Sequence, residues 1–311
     1  MRLDIRSEYS RLLSSKDLQV MIESYKIITD TGFSIFYEHG KEGTKTSWDY
    51  DGNLLYQMTM LKCLSVLKLA EPINYTNDVD GTSLKNTYDP FSVYNLVRAQ
   101  YEAFCNFNNI YIQSKSTQEI ELKYYLWVLS GLNYRQRFKV EAKENVEKKA
   151  HEKKEIDDII ATLELNTCYI QLEDQSKKNI QDGIKKRDWQ YKIEGNKASK
   201  IAWHEMMTNA GTNDMLEGQY SFLSLNTHPS NVSVFQFGAM YNENEQESFT
   251  RMAMQLSKIL VALSIRDYCV YFPTCMKTFN KLPSMHQMLI NTYNRMFRDE
   301  SYVLNNHGED F

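Results

Sequence analysis

The sequence predicts an all-α protein, an irregular antiparallel helical bundle with a charged helical excursion. Three observations carry that prediction. The 311 residues include only 12 Gly and 5 Pro, too few turn formers for a sheet-rich protein of this length. Long runs are dominated by Lys, Glu and Gln, which are good helix formers. Apolar residues recur at intervals of three and four, the period of a half-buried helix. With 42% hydrophobic and 24% charged residues, there is enough apolar surface to build a core. The 21 Tyr and 14 Phe predict a core rich in aromatic rings.

Ser15 reads as an N-cap, and Leu18, Met21, Ile22, Tyr25 and Ile28 follow at helical spacing, giving a helix over 15–29. A second helix spans Ser47 to Ala70. Leu54, Leu55, Met58, Leu61, Leu64 and Leu67 mark one side of it, and Glu71-Pro72 stops it. Residues 73–89 are polar and turn-rich and read as a loop. Asp89-Pro90 opens a helix with Pro in the first position. Val93, Leu96, Val97, Tyr101, Phe104, Phe107 and Tyr111 carry its apolar stripe to about Gln113. Ser116, with Glu119 three residues on, suits a capping box for a helix running to about Lys139.

Val140 to Asp158 is dominated by Lys and Glu, while Val146, Ala150, Ile156, Ile159, Ile160 and Leu163 keep a helical rhythm. It reads as a long, projecting, solvent-washed helix or an interrupted pair, with too few apolar a and d positions for a coiled coil. A short helix over 174–186, a loop through Gly195 and a short helix over 199–209 follow, the last closed by Ala210-Gly211. Residues 213–227 form a helix that ends before His228-Pro229. From Asn231 to Phe237, Val232, Val234 and Phe235 alternate with polar residues, which fits a short strand or an extended loop equally. Glu245 to Tyr271 is a long helix bounded by Phe272-Pro273, and Pro283-Ser284 opens the final one, through Phe297. The chain reads as a single helical domain over 1–311, with 140–198 a charged insertion or arm within it.

Charge and cysteine usage narrow the function classes. The net charge of −4 disfavours a DNA-coating surface. The stretch from Gln175 to Lys200 carries eight Lys or Arg against three acids; such a run usually marks a solvated face, and RNA stays open as a partner. Cys63, Cys105, Cys168, Cys269 and Cys275 are odd in number with no C-x-x-C spacing. They read as buried free thiols in a reducing compartment. The first residues lack the apolar core of a signal peptide. The most apolar run, 252–271, is broken by Gln255, Ser257, Lys258, Arg266 and Asp267, too polar to span a bilayer. A cytoplasmic location without a membrane partner is expected. The sequence has no P-loop, dinucleotide fingerprint, H-E-x-x-H, Glu-x-x-His pair or G-x-S-x-G elbow. No cofactor and no metal site are expected.

Two short stretches carry the candidate chemistry. Arg98 and Glu102 are four apart and share a helix face with Tyr101 and Cys105 adjoining. In a groove, the carboxylate holds the guanidinium as an anion-binding fork; on a surface the pair only stitches helices. Tyr220, Ser224 and His228 follow at i, i+4 and i+8, along one stripe. Pro229 ends that helix near His228. An imidazole at a helix end beside a hydroxyl suits general acid or base work, and a lone capping His is the plainer alternative. If the two stretches meet, Arg98, Glu102 and His228 are the catalytic candidates. Tyr101, Tyr220 and Ser224 are the substrate-binding ones.

These elements together resemble a bacterial all-helical family of unknown function. They are Arg98-x-x-x-Glu102, Trp203, Ala210-Gly211 and Tyr220-x-x-Leu223-Ser224-x-x-x-His228, over roughly residues 90–230. The resemblance implies a helical fold and no settled activity. By analogy of fold it is distantly similar to the HEPN ribonucleases of bacterial defence systems. Those enzymes carry Arg and His on one helix four to six residues apart. None of the six histidines here has an Arg so placed upstream.

Three functions follow, one of them small-molecule binding between helices, where aromatic side chains supply the walls; the other two use the candidate cluster. The first of these is a non-enzymatic binding module whose cluster receives a small anionic ligand or an unknown protein, with a homodimer open. The second is a metal-independent, ribonuclease-like phosphodiesterase of a defence or stress system. There Arg98 would bind phosphate and His228 would move the proton.

Overall fold

The computed structural model describes residues 2–212 and 216–304. Those residues form an all-α protein of fourteen α-helices with two small hairpins. Helix α1 (Arg2–Ser14) is one that periodicity does not announce. Helix α2 (Leu18–Gly40) is capped by Asp17 rather than Ser15. The Asp17 carboxylate accepts from the N–H groups of Gln19 (2.8 Å) and Val20 (3.1 Å), while the Ser15 hydroxyl accepts from Asp17 (3.1 Å). The helix continues past Thr29 because Thr31, Ile35 and His39 prolong its buried stripe. Helix α3 (Ser47–Leu69) is capped by Thr46. The expected loop after it holds an antiparallel hairpin, β1 (Ile73–Thr76) and β2 (Ser83–Thr87).

Helix α4 (Pro90–Phe107) starts where Pro90 predicts. The Asp89 carboxylate accepts from the Ser92 N–H at 3.1 Å. A π-helical turn (Asn108–Ile112) follows. Helix α5 (Thr117–Arg135) takes its cap from Ser116. Glu119 reaches back to the N–H of Lys115 (3.0 Å), one residue beyond a standard capping box. Next come α6 (Lys143–Leu165), α7 (Thr167–Ile170) and α8 (Asp174–Lys186). The expected loop through Gly195 is a second hairpin, β3 (Tyr191–Glu194) and β4 (Lys197–Lys200), pairing Ile193 with Ala198. The helix expected over 199–209 is only α9 (Trp203–Asn209), because its first residues belong to β4. Of the helix expected over 213–227, α10 covers Gln219–Thr227, and 213–215 lie outside the described residues.

The largest difference is at Asn231–Phe237. Neither a strand nor a loop forms there; the segment opens α11 (Asn231–Asn242). Ser230 accepts from the Ser233 N–H at 3.1 Å, a cap whose worth outweighs four residues of alternation. Helices α12 (Gln246–Tyr271), α13 (Cys275–Phe279) and α14 (Ser284–Phe297) complete the chain.

The chain divides into two compact units, one of residues 1–107 with 211–311, the other of 108–210. In the first, α12 is buried nearly all round, from Thr250 to Cys269, as a central helix must be. It packs against α2, α3, α4 and α14. A buried polar network crosses this core. Tyr25 and Ser257 share a hydroxyl bond (2.6 Å), Ser257 donates to Gln100 Oε1 (2.5 Å), and the Gln100 amide donates to Cys63 Sγ (3.3 Å). It joins α2, α12, α4 and α3 with each group satisfied, the condition under which buried polarity specifies one packing.

Helix α3 divides the apolar side marked in the sequence. Its buried residues are Leu55, Tyr56, Thr59, Met60, Cys63 and Val66. The stripe of Leu54, Met58, Leu61 and Leu64 faces outward. The helix is apolar on two sides, and periodicity alone chose the longer run of Leu.

In the second unit, Leu122, Leu126 and Leu129 of α5 pack on Ile156, Ile159 and Leu163 of α6, with Ile180 and the β3–β4 residues Tyr191, Ile193 and Ala198. Helix α6 therefore does not project free of its surroundings. One stripe of it is buried, and Glu152 on that stripe pairs with Arg135. Lys123 is buried beside Glu119 (2.8 Å) and donates to the Asn109 carbonyl (3.1 Å). The basic run of α8 and the hairpin is partly self-neutralised, by Lys200 with Asp188 (2.7 Å) and Lys192 with Glu194 (2.7 Å). Gly183 touches the buried Tyr191 ring so closely that a Cβ would overlap its hydroxyl, which donates to the Asn179 carbonyl at 3.1 Å. Gly183→Ala is expected to cost about 1–3 kcal/mol in urea unfolding. Adding Tyr191→Phe should restore part of the loss.

Candidate functional site

Two elements of the first unit build the site. The buried stripe of α4 includes Val97, Tyr101, Phe104 and Cys105, and Arg98 and Glu102 flank it at its margin. Helix α10 packs on α4 and brings Tyr220 onto that margin. The Tyr220 phenol donates to Glu102 Oε1 (3.2 Å) and accepts from Arg98 Nη2 (3.2 Å). Arg98 Nε lies 3.2 Å from the same carboxylate oxygen. The guanidinium carbon sits 5.4 Å from the Tyr220 ring centroid, within cation–π range. Tyr101 packs beneath, its ring 5.5 Å from that of Tyr220. Four of the six expected residues thus meet.

Electrostatics follow from this geometry. The hydrogen bond to Tyr220 holds the Arg98 guanidinium even more firmly protonated than usual. Burial pushes the Tyr101 phenol and the Cys105 thiol up, so both stay neutral. Arg98 and Glu102 are partly exposed, so their attraction contributes at most about 1 kcal/mol. What the arrangement supplies is aim. Arg98 Nη1 makes no hydrogen bond to any described residue.

Ser224 and His228 stand apart. The Ser224 hydroxyl, one turn beyond Tyr220, is buried with no hydrogen-bond partner among the described residues. His228 is the C-cap of α10, with the extended backbone (φ −105°, ψ 145°) that Pro229 demands. Its carbonyl accepts from the Ser230 N–H and the Ser233 hydroxyl, both at 2.7 Å. Its exposed side chain lines a cavity of about 280 Å³, with Phe91, Asn95, Thr227 and Phe237. Arg98 is not on its wall. Helices α4 and α10 run antiparallel here, and eight residues separate Tyr220 from His228, about 12 Å along the axis.

Sequence reasoning missed the residues around His228. Asn95 and Phe91 lie three and seven positions before Arg98 on the same helical face, a spacing that could have pointed to them. It also missed Lys258, which the sequence shows only as an interruption of the apolar run. Lys258 is 1% exposed, lies 5.8 Å from the Tyr293 ring centroid, and has no ion-pair or hydrogen-bond partner among the described residues. Glu205, beside His204, caps α9 by accepting from the Ala202 N–H at 2.6 Å. Among the described residues, no three His, Cys, Asp or Glu side chains are grouped as metal ligands, and no helix is long and apolar enough to cross a membrane.

No protein family matches the sequence, and comparison with curated proteins and with solved structures gives no significant match either.

Proposed function

We propose that the chain is a non-enzymatic binding module that receives an anionic group, of a small ligand or of a partner protein, at Arg98. The observation that carries the reading is a fixed, partly exposed guanidinium together with a histidine that lines a cavity Arg98 does not touch. Recognition needs a charge held in place, and Glu102 and Tyr220 hold it. Acid–base catalysis on a phosphodiester needs a proton carrier within hydrogen-bond reach or one water of the phosphate, and this favours binding over the phosphodiesterase alternative. The five cysteines, all free thiols, support a cytoplasmic setting.

Glu102 competes with any incoming anion for Arg98, so affinity is modest by construction. Titration calorimetry with inorganic pyrophosphate at low salt tests this. Glu102→Gln is expected to tighten binding about fivefold, the equivalent of roughly 1 kcal/mol. Arg98→Gln should abolish it, and added salt should weaken it. Absence of binding to Glu102→Gln would overturn the reading. So would cleavage of RNA in the presence of EDTA that is lost in both Arg98→Ala and His228→Ala.

A further inference from the structure

The outward stripe of α3 is a large apolar face on a helix whose opposite side is locked into the core. Tyr50, Leu54, Leu61 and Leu64, with Gln57 between them, fall at alternating intervals of four and three, the spacing of a coiled-coil seam. Met58 adjoins it. The five apolar side chains are 38% to 55% exposed. Scattered exposed apolar residues are ordinary, but a contiguous seam over four helical turns marks an interaction surface.

We infer that this seam pairs with the same seam of a second copy, α3 against α3 in antiparallel orientation about a twofold axis. Three features favour that occupant. A heptad seam is self-complementary, since the ridge of one copy fills the holes of the other. The charges of α3 are segregated, with Asp49 and Asp51 near its start and Lys62 and Lys68 near its end. In an antiparallel pair the acidic start of each helix lies against the lysine-bearing end of the other. A parallel pair would set acid against acid, and its helix dipoles would oppose it too. Finally, the area suffices. The five half-exposed side chains offer roughly 400–500 Å² of apolar surface per copy. With its polar rim the pair reaches about the 1,000–1,200 Å² at which specific interfaces begin. The dimer is therefore a reversible one, with a dissociation constant in the micromolar range.

Sedimentation equilibrium on the full chain, from about 1 to 100 μM, tests the inference. The wild type is expected to pass from monomer to dimer across that range. Leu61→Glu places two carboxylates in the seam and should raise the dissociation constant about tenfold or more. Its far-UV circular dichroism should stay unchanged, because Leu61 is already exposed in the monomer. Lys62→Glu should weaken the dimer. Under oxidising conditions Met58→Cys, near the middle of the seam, should crosslink to its own copy, while Leu64→Cys, near one end, should not. A wild type that stays monomeric throughout would overturn the inference, as would a dimer indifferent to Leu61→Glu. Efficient crosslinking through Leu64→Cys would overturn the antiparallel orientation. None of these outcomes depends on Arg98, so failure here leaves the anion-binding reading to its own test.

Discussion

Asp267→Ala is expected to lower the stability of the chain by about 3–5 kcal/mol, the largest loss of any single substitution considered. Asp267 and Arg298 form a bidentate ion pair at 2.7 and 2.8 Å with both side chains at most 1% exposed. The guanidinium also stands 5.3 Å from the Phe104 ring centroid and 4.6 Å from that of Tyr302. It receives support from Asn294, whose amide donates to the Ala262 carbonyl at 3.0 Å. The pair thus fastens the first residue beyond α14 to the C-terminal part of α12. Arg266 adds a second cation 3.1 Å from the same carboxylate. Removing Asp267 leaves two guanidinium groups near each other without their shared counter-charge. The cost is that of an uncompensated buried charge rather than of a lost contact. Urea unfolding should register it as a lower midpoint with little change in slope, and thermal unfolding as a fall of about 10 °C. A loss below about 1 kcal/mol would mean that water reaches the guanidinium in the native state.

Lys258→Met should act in the opposite direction. Burial depresses the Lys258 amine from 10.5 to about 8, and no carboxylate among the described residues partners it, unlike Lys123 with Glu119. The unfolded chain binds the proton more tightly than the folded one, so stability rises with pH between about 8 and 10.5. Below that window both states are charged, and the folded state carries the full penalty, on the order of 2–3 kcal/mol. Methionine fills a similar volume without the charge. The variant is expected to gain about 2–3 kcal/mol at pH 7, and the gain should shrink towards pH 10. Paired urea titrations of the two proteins at pH 7 and pH 10 check both statements. A destabilised variant at pH 7 would show that the amine has a counter-ion in solution.

Legibility varied with the kind of information each element needed. Helices α4, α5, α8, α12 and α14 have local signals at their starts or a long periodic stripe, and their positions follow from the sequence. Periodicity gives a helix but not its buried side when both sides are apolar, and α3 is that case. Helix α11 was hidden because its large side chains, Val232, Val234 and Phe235, are exposed, so their alternation reported nothing about a core. The hairpins rest on few residues each and on pairing across turns, which composition does not reveal.

The same distinction governs the site. Spacing of four put Arg98 and Glu102 on one face, and Tyr220 reached them because an aromatic hydroxyl between two charges has a place to bond. The stripe of Tyr220, Ser224 and His228 was a statement about azimuth. It carried no information about distance along the axis, and two helical turns are enough to move an imidazole away from the Arg98 cluster. The basic run of α8 drew notice as charge, and its partners Asp188 and Glu194 show how much of it is spent locally.

The polar network of the first unit has a consequence for sulfur chemistry. Cys63 accepts from Gln100 inside it, and burial raises its thiol to about 12; burial also pushes the Cys105 and Cys269 thiols well up, and Cys275 reaches about 12. Electrophiles attack thiolates, and these groups supply almost none while the helices stay together. Four sulfurs are therefore silent in the native protein and become reactive when the core separates. Their consumption by an alkylating agent is a clock for opening, set by the fold and needing no added probe.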